Sequence, residues 1–478
     1  MTLPALQNHL PFCVDCDGTL LRTDLLHESV FLLAKQSPWS LLQLPFWFFG
    51  GKAHLKHQIA RRVHFDFDSL PVCEEVLDEI RKARAEGRHI VLATASPRVW
   101  ADAVARRIGL FDEVMASDET TNLAGCSKGA HLAMRFGDRQ FDYAGNARPD
   151  LAIWKQAAGA VVVSSSSRLA KAAAELTQLR AVIRPPKAKA LAYLKALRVH
   201  QWLKNLLVWV PLAASHQLSS VQGLIQGLLA FLAFSFCASA VYVLNDLLDL
   251  EADRAHVRKR LRPFASGMIP IWQGAALIPL LLLVSIVLAL QLPLAFMAIL
   301  AVYFAMTLAY SVRLKRQVIL DVLMLAALYT IRVIAGAAAT QVLPSFWLLA
   351  MSVFLFLSLA MIKRYSELLV TLQQDKQSAA GRGYSVQDLP VLMSIGVSAG
   401  MASVMVLSLY VNAPESTTLY QHKMWLWLIP PMLLYWISRI WMKAHRGEVD
   451  DDPVVFAAQD WQSQFIGLAF VVLVWLAT

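Results

Sequence analysis

Apolar and polar positions divide the chain into two regions with different patterns. Up to about residue 185, short apolar runs alternate with helix-like stretches such as 71–86, and charges occur at ordinary density. Beyond that point long apolar runs dominate, and residues 270–309 are forty consecutive positions without a charge. An apolar run of about 20 residues is long enough to cross a bilayer as a helix. The pattern therefore predicts a soluble front end followed by a polytopic membrane domain.

The front end has the pattern of an α/β domain. Short apolar runs predict four strands, at Leu10–Val14, His89–Ala93, Phe141–Ala144 and Gly159–Val163. Strands that alternate with helices are typical of βαβ units and a parallel, Rossmann-like sheet. Residues 24–70 fall between the first two strands, and we expect them to form a helical cap.

The rest of the chain predicts an all-α membrane domain of nine transmembrane helices. Gln291 to Pro293 is the only break in the long uncharged run, which indicates a tight hairpin between two spans. The approximate limits of the spans are 203–219, 221–244, 270–290, 293–311, 318–340, 345–362, 389–411, 424–442 and 462–477.

The predicted domain boundaries follow from these patterns. We place the soluble domain at 1–183, a linker helix at 184–202 and the membrane domain at 203–478. In the linker, Leu191, Leu194 and Leu197 alternate with basic residues. This amphipathic pattern suits a helix at the cytoplasmic lipid surface.

Charge gives the orientation. Four loops, at 246–269, 312–317, 363–388 and 443–461, carry fourteen Lys and Arg, whereas the alternate loops carry only Lys423. The positive-inside rule therefore predicts a multi-pass protein of the inner membrane with a cytoplasmic front end and an extracytoplasmic C-terminus. The net charge of +10 is explained by these loops, so we expect no nucleic-acid partner. The N-terminus has no signal-peptide pattern, and five cysteines without disulfide spacing fit a reducing compartment.

The predicted strand ends carry the candidate chemistry of the front end. Asp15 and Asp17 follow the first strand in an Asp-Cys-Asp-Gly-Thr motif, and Thr94 follows the second. Lys128 opens a helix, and Asn146 and Asp150 follow the third strand. Ligands of open α/β sheets bind beyond the carboxyl ends of the strands, where these side chains would meet.

These motifs, in this order, resemble the haloacid dehalogenase (HAD) superfamily of phosphohydrolases across residues 8–180. The resemblance implies that Asp15 is the nucleophile and that Asp17 is the general acid and base. It implies that Thr94 and Lys128 bind the phosphoryl group, and that Mg²⁺ is the cofactor. The metal ligands would be drawn from Asp15, Asp17, Asn146 and Asp150.

One position departs from the HAD pattern. Asn146 stands where the family has an acidic residue, so Asp150 is the only carboxylate after the third strand. An amide oxygen can bind Mg²⁺ but brings no charge. Two interpretations follow: an active phosphatase, which the nucleophile, acid and lysine favour, or a catalytically inert binding module.

The cap contains an unusually aromatic segment, residues 39–49. Its sequence fits two interpretations, packing on the cap's own core or docking at the membrane interface.

The membrane domain has a carboxylate cluster at the exit of its second span. Asp246, Asp249 and Asp253 follow Asn245 at spacings of three and four, which places them on one helical face. Crowded carboxylates of this kind suit Mg²⁺, which leaves sites open for phosphate. Basic residues follow at once, namely Arg254, Arg258, Lys259, Arg260 and Arg262. The combination predicts a Mg²⁺-diphosphate site, with Asp246 and Asp249 as catalytic residues.

This half, about 190–478, resembles the UbiA-type superfamily of intramembrane prenyltransferases. Within it the residues are most similar to decaprenyl-phosphate phosphoribosyltransferases, which use phosphoribosyl pyrophosphate and a polyprenyl phosphate. The matching stretches are Arg198–Asn205, Asn245–Arg254, Lys259–Pro263, Tyr310–Lys315 with Asp321, Arg332 with Ala335 and Gly336, and Lys363–Glu367. Asp321 is followed four residues later by Leu325 rather than by a second Asp, which suits the phosphoribosyl branch.

The number of cations points the same way. Arg332 lies inside a predicted span and needs a partner, and Asp321 is about 16 Å away along the same helix. A substrate phosphate is the partner we expect. The predicted substrate-binding residues are Lys204, Asn205, Asn245, Arg258, Lys259, Arg262, Tyr310, Lys315, Asp321, Arg332, Lys363 and Arg364.

The sequence therefore predicts transfer of 5-phosphoribose to a polyprenyl phosphate, followed by removal of the 5-phosphate by the HAD-like domain. The alternative is an aromatic polyprenyltransferase with a separate or inactive HAD module. The sequence leaves the oligomeric state open between a monomer and a homo-oligomer.

Overall fold

The computed structural model describes residues 10–186, 188–373, 383–449 and 452–478. The chain forms two compact units. The first contains the front end up to Leu197 together with Tyr242–Ile278, and the second contains Arg198–Val241 and Pro279–Thr478. The Asp-rich motif therefore packs with the front end, a grouping that crosses the domain boundaries predicted from sequence. Those boundaries stay a prediction.

A six-stranded parallel sheet forms the centre of the first unit, with strand order β3-β2-β1-β4-β5-β6. Phe12 in β1 pairs with Ile90 on one side and with Asp142 on the other. The parallel α/β prediction is confirmed, while β3 and β6 were not predicted. The strands are β1 (Phe12–Val14), β2 (Ile90–Pro97), β3 (Glu113–Ser117), β4 (Asp142–Gly145), β5 (Gly159–Val163) and β6 (Gln178–Ile183).

Helices cover both faces of this sheet, as a parallel sheet requires. Val14 and Leu92 belong to one buried cluster, and their neighbours Cys13 and Val91 belong to another. The cap between β1 and β2 is helical, as predicted. The helices are α1 (Leu25–Gln36), α2 (Leu44–Phe49), α3 (Lys52–Ala60), α4 (Glu74–Ala85), α5 (Arg98–Ile108), α6 (Cys126–Phe136), α7 (Leu151–Trp154), α8 (Ser167–Leu176) and α9 (Ala190–Ala196).

A buried ion pair joins the cap to the Asp-rich region inside the first unit. The Arg254 guanidinium donates to both carboxylate oxygens of Glu28, one of them at 3.0 Å. Both side chains are about 4% exposed or less. The Thr23 hydroxyl donates to Glu28, and Arg254 Nε donates to the Ala265 carbonyl at 3.0 Å. Each partner is thus held by further hydrogen bonds, which a buried ion pair needs for its stability.

Backbone contacts flank this pair. Gly267 has φ +70°, and a Cβ there would lie 2.6 Å from the Arg22 carbonyl oxygen. The amide of Asp66 donates to Glu251 at 2.9 Å. Glycine at 267 is therefore required both by its left-handed conformation and by the close approach of the cap loop.

The remaining helices include the membrane spans. Six of them are long and apolar enough to cross a bilayer: α11, α13, α14, α15, α16, and Val386–Asn412, which contains α17. The helices are α10 (Val210–Ala214), α11 (Val221–Leu248), α12 (Leu250–Ala255), α13 (Ile271–Ala289), α14 (Leu294–Val312), α15 (Leu320–Thr340), α16 (Phe346–Gln373), α17 (Leu389–Asn412), α18 (Pro414–Leu419), α19 (Ile429–His445), α20 (Pro453–Gln459) and α21 (Trp461–Ala477).

The predicted count of nine spans is not confirmed among the described residues. The pair α20 and α21 would make a seventh span, bent by 82°. The predicted first span is a 3-10 helix, Val199–Trp209, followed by the five residues of α10. The predicted linker helix is reduced to α9. The predicted loop 363–388 lies partly outside the described residues.

The buried pair gives a stability prediction. Replacing Glu28 with Gln leaves the Arg254 charge buried without its counter-ion, which we expect to destabilise the first unit by about 3 to 5 kcal/mol. The measurement is the thermal unfolding midpoint of the full chain together with amide hydrogen exchange of residues 245–270.

The matched control is Glu75→Gln, since Glu75 pairs with Arg22 at 2.9 Å but is about half exposed. An exposed pair contributes about 1 kcal/mol or less. Equal midpoints and equal exchange in the two variants would contradict the role given to the buried pair.

Candidate functional site

The carboxyl ends of three adjacent strands bring the HAD-like side chains together. Since β1 lies between β2 and β4 in a parallel sheet, their ends meet at one edge. Asp15 follows β1, Thr94 lies near the end of β2, and Asn146 follows β4. The sheet order therefore places the predicted motifs at one crevice.

Asp15 is paired with Lys128 at the base of this crevice. Lys128 Nζ donates to Asp15 Oδ1 at 2.6 Å and to the Tyr143 hydroxyl at 3.0 Å. Tyr143 in turn donates to Asp150 Oδ1 at 3.2 Å. Asp15 and Lys128 are both less than a tenth exposed. The lysine is thus held beside the carboxylate that would take up a phosphoryl group.

Asp17, the predicted general acid and base, accepts two hydrogen bonds. Its Oδ1 accepts from the Leu25 amide at 2.9 Å, and its Oδ2 accepts from the Ser96 hydroxyl at 2.7 Å. Burial, together with the charge of Asp24, raises the pKa of Asp17 to about 7. A carboxyl group with that pKa exchanges its proton near neutral pH, as a general acid and base must.

Asp150 fixes the loop that carries Asn146. Its Oδ2 accepts from the backbone amides of Asn146 and Ala147, both at 2.9 Å. Burial, followed by the charge of Asp15, raises the pKa of Asp150 to about 6. The Asn146 side chain lies against Gly18, where a Cβ would clash with it. Asp150 therefore holds Asn146 beside the Asp15–Asp17 loop, and its role as a metal ligand stays a prediction.

The donor set at this edge suits Mg²⁺. The available oxygens are the Asp15 carboxylate, the Asp17 carbonyl and the Asn146 amide, which are the hard ligands that Mg²⁺ prefers. Among the described residues no group of three His, Cys, Asp or Glu side chains could hold a metal ion. A metal here would thus depend on amide and backbone oxygens, and on those of a phosphate substrate.

The structure adds residues that the motifs did not reveal. Lys56 in α3 donates to the Ala95 carbonyl at 2.6 Å, next to Thr94. Burial lowers the pKa of Lys56, and the charges of Asp17 and Asp24 act in the opposite direction. A cap lysine therefore lies beside Thr94, the predicted phosphate-binding residue, at this crevice. No sequence spacing identifies it, because it reaches the site only through the packing of the cap.

In the Asp-rich region, two of the predicted carboxylates meet at one guanidinium. Arg262 Nη1 lies 3.2 Å from Asp246 and 2.7 Å from Asp253. Both carboxylates are less than 5% exposed. Burial raises the pKa of Asp253, while Arg262 acts to lower it. Two buried carboxylates around one cation form a donor set that Mg²⁺ also fits.

The other residues of this region are placed differently. Asp249 pairs with Lys35 of α1 at 3.1 Å. Arg258 and Lys259 are exposed. Arg254 lies against Glu28, although the sequence had grouped it with the phosphate-pairing cations. Asn245 is half-buried in α11.

In the second unit, Arg332 has protein partners. Its Nε donates to Asn205 Oδ1 at 2.9 Å, and its Nη2 donates to the Tyr303 hydroxyl at 3.1 Å. Its guanidinium also lies 5.0 Å from the Tyr303 ring centroid. Arg332 therefore does not require a substrate phosphate as its partner, because neutral groups of the protein already accept its hydrogen bonds.

Two further pairs involve predicted substrate-binding residues. Arg364 lies 2.8 Å from Asp321, with both side chains fully buried, and Tyr384 donates to Asp321 at 2.5 Å. Lys204 is paired with Asp452, which the sequence did not single out. The other three predicted residues of this unit, Tyr310, Lys315 and Lys363, are partly exposed.

Comparison with protein-family models decides the family. The UbiA prenyltransferase family matches residues 206–474, more than half of the chain. The chain belongs to the UbiA prenyltransferase family. A second model, haloacid dehalogenase-like hydrolase, matches residues 12–135. The chain is thus a multi-pass membrane enzyme that combines a UbiA-type transferase with a HAD-like domain, as the motifs predicted.

The chain is also similar to individual proteins. An uncharacterised protein of Sinorhizobium fredii, y4nM, is 38% identical over 98% of this chain and 91% of its own length. Decaprenyl-phosphate phosphoribosyltransferase of Mycolicibacterium smegmatis is 40% identical over a stretch of 190 residues. This stretch makes up 38% of this chain and spans 59% of that enzyme. The structure of a UbiA homolog from Archaeoglobus fulgidus bound to GPP and Mg²⁺ is 16% identical over 60% of this chain and 99% of its own, with a TM-score of 0.46.

The raised pKa of Asp17 predicts a pH-dependent stability. Between pH 3.8 and about 7 the unfolded chain has lost the proton that the folded chain keeps, so stability falls as pH rises, with a slope of up to about 1.4 kcal/mol per pH unit. Asp17→Asn cannot ionise and should remove this contribution. Thermal midpoints of both proteins in EDTA, from pH 4 to pH 8, measure it.

We expect similar midpoints at pH 4 and a higher midpoint for the variant at pH 8. Asp138→Asn, which changes an exposed carboxylate, is the control. Parallel pH profiles for wild type and Asp17→Asn would show that Asp17 does not hold its proton in the folded state.

Proposed function

We propose that this protein transfers 5-phosphoribose from phosphoribosyl pyrophosphate to a polyprenyl phosphate, and that its HAD-like domain then removes the 5-phosphate. The proposal rests on the 40% identity to a decaprenyl-phosphate phosphoribosyltransferase. The buried carboxylates of Asp246 and Asp253 and the part-exposed Arg262 between them support it, because a diphosphate leaving group needs both a metal site and a cation nearby.

In the transferase reaction, Asp246 of α11 and Asp253 of α12 would hold Mg²⁺, and Asp249, which lies between these helices and pairs with Lys35, would be a third carboxylate. The ion would neutralise the charge of the departing diphosphate. Arg262 lies between two of these carboxylates, and in this proposal it would pair with a phosphate instead. Arg258 and Lys259 are exposed in the segment after α12 and supply further phosphate-pairing charge. The acceptor is a phosphate oxygen that is ionised at neutral pH, so no strong base is required.

In the phosphatase reaction, Asp15 attacks the phosphorus and forms an aspartyl-phosphate. Lys128 stays within hydrogen-bond distance of this carboxylate and offsets the charge on the phosphoryl oxygens. Asp17 protonates the leaving sugar oxygen and then takes a proton from the water that attacks the aspartyl-phosphate, which releases inorganic phosphate and restores the Asp15 carboxylate; a pKa of about 7 permits both proton transfers. Lys56 and Thr94 lie at the end of β2, where the phosphate of a substrate would be held.

We further propose that the protein lies in the inner membrane with its front end and Asp-rich region in the cytoplasm, where phosphoribosyl pyrophosphate is available. The excess of Lys and Arg in the predicted cytoplasmic loops supports this orientation.

Radiolabelled phosphoribosyl pyrophosphate tests the proposal. Membranes containing the full chain receive the ribose-labelled compound, polyprenyl phosphate and Mg²⁺, and label is followed into the organic extract. We expect labelled lipid without the 5-phosphate from the wild type. Asp15→Asn should yield lipid that keeps the 5-phosphate, and Asp246→Asn should lower transfer about 100-fold or more.

The control is again Asp138→Asn, which should behave as the wild type. Label that stays in the aqueous phase, with prenyl transfer to an aromatic acid instead, would favour the aromatic prenyltransferase. Lipid that keeps its 5-phosphate in the wild type would refute the proposed role of the HAD-like domain while leaving the transferase role intact.

A further inference from the structure

The cap has an exposed apolar edge, formed by the 3-10 helix Pro38–Gln43 and by α2, and called here the cap edge. Four of its large side chains point to solvent at helical spacings of three, four and three. Their exposures are 82% for Trp39, 69% for Leu42, 75% for Phe46 and 87% for Phe49. Residues at these spacings share one face, so together they form one continuous apolar surface.

The opposite face of the cap edge is apolar as well. Trp47 is buried in the core of the first unit, and Leu41 and Leu44 pack against that core. The inner face therefore makes the contacts of the cap edge with the core of the front end, and the outer face remains exposed. A helical segment that is apolar all round is stable only where both faces meet an apolar environment.

The outer face differs from the rest of the front end. Among the described residues 10–186, other strongly exposed large apolar side chains occur singly, such as Val99 in α5 and Met134 in α6. Single apolar residues of this kind need no explanation, whereas contiguous exposed patches mark interaction surfaces.

Charge indicates what the surface binds. Residues 36–65 contain four Lys and Arg and not one Asp or Glu. Lys52, Arg61 and Arg62 are exposed in or directly after α3. The Arg62 guanidinium stacks 4.6 Å from the Trp47 ring, which holds a cation at the margin of the cap edge. Aromatic residues flanked by cations are the pattern of segments that bind the interface of an anionic membrane.

We propose that the cap edge inserts into the interfacial region of an anionic bilayer and anchors the HAD-like domain to the membrane surface. The chain is a multi-pass membrane protein, so a bilayer is always present at a high effective concentration. A second copy of the chain fits the surface poorly, because two such faces would bring the exposed Lys52, Arg61 and Arg62 of each copy together, with Glu119 of each copy beside Arg61 to offset part of that charge. The proposal does not depend on which substrates the two active sites use.

Spin labels on the full chain in lipid vesicles test this docking. Cys126→Ser removes the exposed thiol, and the other four cysteines are buried. Phe46→Cys then carries a nitroxide at the cap edge, Leu42→Cys gives a second position on the same face, and Met134→Cys is the exposed control. In vesicles of phosphatidylcholine and phosphatidylglycerol, we expect the labels at 46 and 42 to collide with oxygen and to be protected from a water-soluble nickel chelate. The label at 134 should behave in the opposite way.

The role of the cations is tested by Lys52→Gln with Arg61→Gln. Each removed cation should weaken membrane partition of the cap edge about fivefold in vesicles that contain phosphatidylglycerol. Vesicles of phosphatidylcholine alone should show no such difference. If labels at 46 and 42 reach the nickel chelate as readily as the label at 134, the proposal fails. Spin–spin broadening at 46 that disappears on dilution with unlabelled chain would instead show contact between two copies, and would also overturn it.

Discussion

The buried pair between Glu28 and Arg254 is the interaction on which the arrangement of the first unit depends. An unpaired charge is strongly unfavourable in a buried position, so the folded cap and the folded Asp-rich region stabilise each other. Asp17 holds the first amide of α1, Glu28 lies one turn later, and Arg254 directly follows Asp253. Asp17 of the HAD-like crevice and Asp253 of the Asp-rich region are therefore connected through α1 and the Glu28–Arg254 ion pair.

Local pattern predicted much of this molecule, because local pattern reflects burial. The four predicted strands are within a few residues of β1, β2, β4 and β5, since each is a buried apolar run that ends in a turn. The edge strands β3 and β6 were missed, and several of their residues are only partly buried, as in Gln178–Ile183. The predicted span 203–219 is an irregular helix, 3-10 up to Trp209 and followed by the short α10, for a related reason: apolar composition indicates environment but not backbone conformation.

The partners of charged residues could not be predicted in the same way. The Asp-x-Asp motif, Thr94 and Lys128 were identified because each stands in a local motif that resembles the HAD pattern, after a predicted strand or at the start of a predicted helix. Asn205 and Arg332 are 127 positions apart, and no periodicity links them. The sequence therefore predicts a phosphate as the partner of Arg332, whereas the folded chain supplies the amide of Asn205 and the hydroxyl of Tyr303. The sequence does not identify Lys56 for the same reason, because this cap residue reaches the crevice only in the folded chain.

The contact of Gly267 with the Arg22 carbonyl bears on whether the two parts of the chain can be exchanged. Two enzymes joined by a simple tether can be exchanged for other modules, because neither surface has adapted to the other. Here the Arg22 backbone packs against Gly267, a position that tolerates no side chain. The Glu28–Arg254 pair lies nearby, with Glu28 in the cap and Arg254 in the Asp-rich region. Neither part can therefore be replaced alone without losing the close fit at Gly267 and the pair between Glu28 and Arg254.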